Sequence, residues 1–134
     1  MKERDATSDL HEAPAPLLTI RDLRVAFSGV EVLHGIDLDL PKGETLALIG
    51  ESGSGKSVHA RSILGLAGSK NTTTGSIRFE GRELAGAPEK ELRRIRGADI
   101  SMIVQDAMAA LNPMRTIGDQ LIETIVYRHP DYRD

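Results

Sequence analysis

Thr45-Leu46-Ala47-Leu48-Ile49 followed by Gly50-Glu51-Ser52-Gly53-Ser54-Gly55-Lys56-Ser57 is the stretch that decides how this chain is read. Thr45 to Ile49 is an apolar run ending in glycine, the composition of a strand buried on both faces of a parallel sheet. The eight residues after it match G-x-x-x-x-G-K-[ST] in full. Glycines let the backbone turn so that successive N–H groups point inward at a phosphate. A helix that starts at the end of such a loop adds its positive N-terminus. Lys56 then reaches the β- and γ-phosphates as a mobile point charge, and Ser57 offers its hydroxyl to Mg²⁺. Gly/Ser/Lys runs also occur in ordinary loops. Here a buried-type strand leads straight in and a helix leads straight out, which is the context the motif requires. Glu51 reads as a solvated loop residue and His59 as a helix surface or packing residue, and neither receives a role.

On the N-terminal side, residues 1–16 are polar and charged and include Ala13-Pro14-Ala15-Pro16, so they read as a disordered leader. Structure is expected from Leu17, with strand composition at Leu17, Thr19 and Leu23 to Phe27. Ser28-Gly29 breaks this stretch from Val30 to Leu33, and Ile36 to Leu40 alternates apolar and acidic as a half-buried strand does. Pro41 to Glu44 is a turn. On the C-terminal side, a helix is expected from Lys56 to about Leu66, with Val58, Ile63 and Leu66 near one face. A polar loop follows over residues 68–74, and residues 75–81 read as a short alternating strand ended by a turn. Pro88 to Arg96 reads as a helix with acids in its first turn, a basic last turn and Gly97 as its stop. Ile100 to Val104 reads as a second buried-type strand. Gln105 to Arg115 is a loop. Thr116 opens a helix with Asp119 three residues on and an apolar face of Ile117, Leu121 and Ile125, joined by Ile122 and Val126.

The 134 residues allow one domain, and 40 per cent hydrophobic content allows a core. With 17 basic and 20 acidic residues the net charge is −3, which disfavours binding nucleic acid through bulk positive charge. Aromatics at 3 per cent and the lack of Trp disfavour a base-stacking surface. The lack of Cys excludes disulfides, thiol catalysis and cysteine-ligated metals. His11, His34, His59 and His129 have no metal-ligand spacing. No apolar run approaches the ~20 residues of a bilayer span, and no signal-peptide segment precedes the chain's body. The expected location is the cytosol, or a membrane reached through a partner.

A phosphate loop by itself says only that a nucleoside triphosphate binds. Turnover also needs a carboxylate for Mg²⁺ and a group that activates water. Asp106, after the apolar run Ile100 to Val104, is the one later candidate for that carboxylate in a stand-alone small kinase or nucleotide-binding regulator. Gln105 interrupts the run before it.

Several segments together narrow the choice: Leu18-Thr19-Ile20-Arg21-Asp22-Leu23, Val32 to Leu38, Gly43 to Val58, Gly75-Ser76-Ile77, Val104-Gln105-Asp106 and Leu111-Asn112-Pro113. From about Leu17 to Ile125 the chain resembles the N-terminal part of an ATP-binding subunit of an ABC transporter, within the branch of oligopeptide, dipeptide and nickel importers. The resemblance implies an α/β P-loop NTPase fold, with a parallel core sheet and an antiparallel β subdomain. It implies ATP and Mg²⁺ as cofactors. Phe27 matches the aromatic that stacks on adenine, although by residue type alone a core aromatic would serve as well. Gly50, Ser52, Gly53, Ser54, Gly55, Lys56, Ser57 and Val58 match the nucleotide-binding positions. Gln105 matches the glutamine that contacts Mg²⁺ and water and senses the membrane partner, so Lys56 and Gln105 take the catalytic roles and Ser57 and Gln105 the metal. The implied partners are membrane-spanning subunits, a second ATP-binding subunit and, indirectly, a substrate-binding protein. The implied place is the cytoplasmic face of the plasma membrane, held peripherally.

The chain departs from the family at Ala107, where Pro is usual, at Ala110, where Ser is usual, and at Ala87, where a capping residue is usual. It contains no L-S-G-G-Q signature, no apolar strand ending in Asp-Glu and no switch histidine after one. His129, before Pro130, reads as a surface residue. The expectation is that residues 17–134 are a partial nucleotide-binding domain, truncated before its helical subdomain is complete. Such a piece would bind ATP without hydrolysing it alone.

Overall fold

A computed structural model describes residues 16–68, 70–106 and 110–133. The chain divides into two compact units, one through Gly86 and one from Ala87 onward. The leader expected over residues 1–16 lies outside the described residues apart from Pro16, and so does Ala107.

The first unit is organised by an antiparallel sheet. Strand β1 runs Leu18–Phe27 and β2 runs Val30–Leu40. Ser28 and Gly29 join them with φ of 50° and 84°, the left-handed pair whose twist suits a tight hairpin. Strand β3 is Asn71–Phe79 and the short β4 is Arg82–Glu83, in the spatial order β2-β1-β3-β4. Alternation along β1 puts Ile20, Leu23, Val25 and, across in β3, Ile77 on one face, and all four are 0% exposed. Leu18, Leu33, Leu64 and Leu84 complete the buried hydrophobic set of this unit among the described residues.

The step from Ile20 to Leu23 breaks the period of two, and the register shifts there against both neighbouring strands. Asp22 forms the bulge at φ 43°, and its N–H donates to Asp37 Oδ1 at 2.8 Å. Opposite it in β3, Gly75 has φ 95°, and a Cβ there would lie 2.6 Å from Arg21 O and closer still to Asp22 O. Only glycine fits that approach.

Strand β3 begins earlier than the polar composition of residues 68–74 suggests. Asn71 to Thr74 pair with Phe27 to Arg24 of β1, where β-branched threonines suit a pleated surface. Helix α1, Lys56–Ile63, is shorter than expected. Gly65 at φ 64° closes it, with Leu66 N–H on Arg61 O at 2.8 Å and Gly65 N–H on Ser62 O at 3.0 Å. Leu66 therefore lies past the helix and is exposed, and the buried face carries His59 and Ser62 rather than Val58 and Leu66.

The expected parallel core sheet is reduced, among the described residues, to a single bridge between Arg96 and Ile100. Neither Thr45 to Ile49 nor Ser101 to Val104 forms a ladder, and Ile49 and Ile103 are 94% and 98% exposed. A doubly buried strand exists only with partners on both sides, and parallel partners arrive through crossover connections.

In the second unit, helix α2 is Glu89–Ile95 and α3 is Ile117–Arg128, followed by a 3-10 turn at Pro130–Arg133. Helix α2 starts after Pro88, carries Glu89 and Glu91 in its first turn and ends before Gly97 at φ 77°, as its composition implies. Thr116 caps α3 by accepting the Asp119 N–H at 3.1 Å. Gln120 ties the preceding loop to the helix: its Oε1 accepts Asn112 N–H at 2.9 Å and its Nε2 donates to Asn112 O at 3.1 Å. The apolar face expected of α3 is present in sequence but not covered, and the helix has no buried residue.

Candidate phosphate-binding site

The site is built where the loop after Ile49 meets α1. Ser54 N–H turns back onto Glu51 O at 3.3 Å. Gly55, at φ 89°, occupies the cap position of α1 in a left-handed conformation. A Cβ on Gly55 would lie 2.6 Å from Leu33 Cδ2, so β2 seats the loop from below. A side chain at position 55 would meet both backbone strain and a buried leucine.

Lys56 opens α1 and its ammonium closes on three loop oxygens. It donates to Gly50 O at 2.7 Å, Glu51 O at 2.5 Å and Ser54 Oγ at 3.0 Å. Three donors meet three acceptors, which saturates the group. The charge is thereby held inside the curl of the loop, beside the start of the helix. The first N–H groups of any helix lack intrahelical partners. In α1 no side chain caps them and no acid occupies the first turn. A helix that leaves its positive end bare, with a lysine stored next to it, presents the donor set that a phosphate chain requires. The residues present fit a nucleoside triphosphate on this ground. Ser57, exposed in the first turn of α1, supplies a hydroxyl of the type that binds Mg²⁺.

The other expected residues distribute as follows. Ser52 and Gly53 form the exposed tip of the loop, with Gly53 at φ 83°. Val58 is half-buried, and its carbonyl accepts Ser62 Oγ at 2.8 Å. Phe27, half-buried, ends β1 on the sheet that seats the loop. Gln105 and Asp106 belong to the second unit and are exposed. The structure thus brings Gly50, Glu51, Ser54, Gly55 and Lys56 together in one constellation.

His59, one turn beyond Lys56, takes the packing place of the two that its sequence context allowed. It is 5% exposed, and neither ring nitrogen has a hydrogen-bond partner among the described residues. Burial holds its pKa below the usual histidine value. Its i+3 relation to Ser62, the other buried residue of α1, is the one signal in the sequence that marks this face. Asn71 also lies in an element that its polar neighbours conceal, although the threonine run beside it is a strand signal.

Comparison with known proteins gives concordant likenesses. The sequence pattern of the ABC transporter family matches residues 33–133. The dipeptide transport ATP-binding protein DppD of Bacillus subtilis (strain 168) is 49% identical over 119 residues, which is 84% of this chain and 35% of that protein. The oligopeptide transport ATP-binding protein OppD of Escherichia coli (strain K12) is 44% identical over 114 residues, covering 82% of this chain and 34% of the relative. The peptidoglycan transport ATP-binding protein YejF of Agrobacterium fabrum is 47% identical over 117 residues, 82% of this chain and 21% of the relative. The chain therefore spans about a third or less of the length of these relatives. A stand-alone small kinase using Asp106 gains no support from them, since the matched region runs through residue 106. No helix among the described residues is long and apolar enough to cross a membrane.

Proposed function

This chain belongs to the ABC transporter family, and from that premise we propose that its first unit binds ATP with Mg²⁺ as part of an ATPase that powers import of peptides, or of nickel, across the plasma membrane. One observation carries the reading: the Lys56 ammonium sits on Gly50 O, Glu51 O and Ser54 Oγ beside a helix start without a side-chain cap. On binding, Lys56 exchanges these loop oxygens for β- and γ-phosphate oxygens. The exchange costs little because the new partners are charged and the old ones are not. Gly50, Ser52, Gly53, Ser54, Gly55 and Val58 line the phosphate path, and Phe27 stacks on the base. Ser57 would hold the metal, which would serve there to neutralise charge on the phosphates.

Hydrolysis belongs to the complete length of such a subunit, of which this chain spans about a third. In that setting Lys56 and Gln105 act in turnover, and Gln105 also relays the state of the site to membrane-spanning subunits. The partners are those subunits, a second ATP-binding subunit and, through them, a substrate-binding protein. The protein sits on the cytoplasmic face of the membrane.

Lys56→Ala tests the reading. ATP affinity is expected to fall at least about tenfold, since a charged hydrogen-bond donor to phosphate is removed. The far-ultraviolet circular dichroism should stay as in the parent, because the ammonium contacts only the exposed loop. Unchanged affinity in titration calorimetry refutes the assignment.

A further inference from the structure

Ser54 closes the phosphate loop on itself twice. Its backbone N–H donates to Glu51 O at 3.3 Å, and its Oγ accepts the Lys56 ammonium at 3.0 Å. Glu51 O accepts that same ammonium at 2.5 Å, so one carbonyl spends both of its lone pairs inside the loop. Glu51 O, Ser54 and Lys56 Nζ thus form a closed ring of contacts. In this conformation two donors of the site are already engaged. A backbone N–H serves a phosphate when it points into the cradle, whereas Ser54 N–H is turned onto a carbonyl. The ammonium serves a phosphate only after it leaves the loop oxygens.

Two of the three acceptors around Lys56 are backbone carbonyls, Gly50 O and Glu51 O. Ser54 Oγ is the side chain among them, and its seat depends on Gly50. A Cβ at position 50 would lie 2.7 Å from Ser54 Oγ and 3.4 Å from Ser54 Cβ. Gly50 is not among the glycines with a left-handed φ. Its missing side chain therefore serves the place of that hydroxyl and not the path of the backbone. Ser54 is exposed and Lys56 half-buried, so the contact is open to attack from solvent.

We propose that Ser54 is a positioning residue that holds the phosphate loop shut: its hydroxyl, seated by Gly50, competes with an arriving phosphate for the Lys56 ammonium and slows nucleotide uptake. The inference rests on the nucleotide-binding reading above and adds a gate to it. Association that waits on a conformational change is slower than encounter, and affinity falls with the fraction of loops that are shut. Without the hydroxyl, the ammonium keeps two carbonyls and turns one N–H to water. The loop then opens more often. The gain falls on association, because the lost contact is one that phosphate breaks before it is bound.

The test uses the full 134-residue chain and two readouts. Stopped-flow mixing with Mg²⁺ and ATP labelled on its ribose with N-methylanthraniloyl gives the association and dissociation rates. Acetylation by acetic anhydride without nucleotide, read by mass spectrometry, gives the reactivity of Lys56 relative to the exposed Lys42 and Lys90. Ser54→Ala should associate about two- to fivefold faster, the range of one exposed charged contact, with an unchanged dissociation rate. Ser54→Thr, which keeps the hydroxyl, should behave as the parent. Lys56 acetylation should rise by a similar factor in Ser54→Ala and in Gly50→Ala, which displaces the hydroxyl without removing it. Unchanged association in a Ser54→Ala chain that melts like the parent overturns the inference. So does unchanged Lys56 acetylation in both alanine variants. Faster dissociation with unchanged association makes Ser54 a phosphate ligand, which removes the gate and leaves the nucleotide reading standing. If Gly50→Ala fails to fold, Ser54→Ala and Ser54→Thr decide. No binding of the labelled ATP by the parent overturns both.

Discussion

In the antiparallel sheet Ile20, Leu23, Val25 and Ile77 are wholly out of water, whereas in α3 Ile117, Leu121, Ile122 and Ile125 keep between 50% and 62% of their surface exposed. The two regions are held by different means. The sheet is held by residues far apart in sequence: β1 is paired along its edge by β3, which starts more than forty positions later. Helix α3 is held mainly by near neighbours, with two longer-range hydrogen bonds near its end, Tyr127 Oη to Arg93 O at 3.5 Å and Arg128 Nη2 to Ser101 Oγ at 2.9 Å. Thr116 caps it, Gln120 braces the loop before it, and Arg115 pairs with Glu123 across two turns. A 12-residue helix is marginal in water without tertiary cover. The contrast teaches that in this chain local signals suffice to define a helix, but only burial supplies cooperative stability.

The contrast is broken most directly by paired truncations. Ile77→Ala is expected to cost ~2–5 kcal/mol of unfolding free energy, through lost burial and a cavity. Leu121→Ala, on the uncovered face of α3, should change it by no more than ~0.5 kcal/mol. Urea denaturation of both variants measures the difference, and equal costs would mean that α3 is packed in solution. Next in size is Gly75→Ala. The added Cβ meets the Arg21 and Asp22 carbonyls at a positive φ, so a loss of ~2–3 kcal/mol is expected in the same measurement.

Acid separates the regions in another way. Burial depresses the pKa of His59 in the folded first unit, while the unfolded chain titrates near 6.5. Below that pH the unfolded state binds the extra proton first. Stability therefore falls as pH drops through 6.5, and it stops falling only below the depressed folded value. His59→Leu should remove this part of the slope between about pH 7.5 and 5.5 and raise the melting temperature near pH 6. A parallel slope in the variant would place the titration elsewhere. The smallest effect is expected at Thr116→Ala, about 1 kcal/mol of local helix stability, read as faster amide exchange at Asp119 and Gln120 with the sheet amides unchanged.

Much of the site is legible in the sequence because it is written in consecutive residues. The loop from Gly50 to Ser57 carries its own glycines, lysine and hydroxyls, and the folded structure gathers Gly50, Glu51 and Ser54 around the Lys56 ammonium. The hairpin at Ser28-Gly29, the start of α2 after Pro88 and the Thr116 cap are legible for the same reason. The consequences of partners are not. The burial of His59 depends on what covers one face of α1. Strand β3 begins at Asn71 because β1 is there to pair with it. The bulge at Asp22 is permitted by Gly75, some fifty positions away, and no window over either segment contains both.

The apolar run Thr45 to Ile49 shows where each kind of information stops. By itself the sequence determined that this run leads into a glycine-rich loop of the phosphate-binding pattern, that a helix follows with Lys56 and Ser57 in its first turn, and that the last helix begins at a Thr116 cap. Those properties depend on backbone geometry and hydrogen bonds within a few residues. Only the tertiary structure decided which apolar segments are buried: β1 and β3 close on each other, whereas Leu46, Leu48 and Ile49 remain exposed and unpaired among the described residues. Hydrophobicity makes a segment able to be buried, but burial needs a second surface, and the position of that surface is a property of the folded chain.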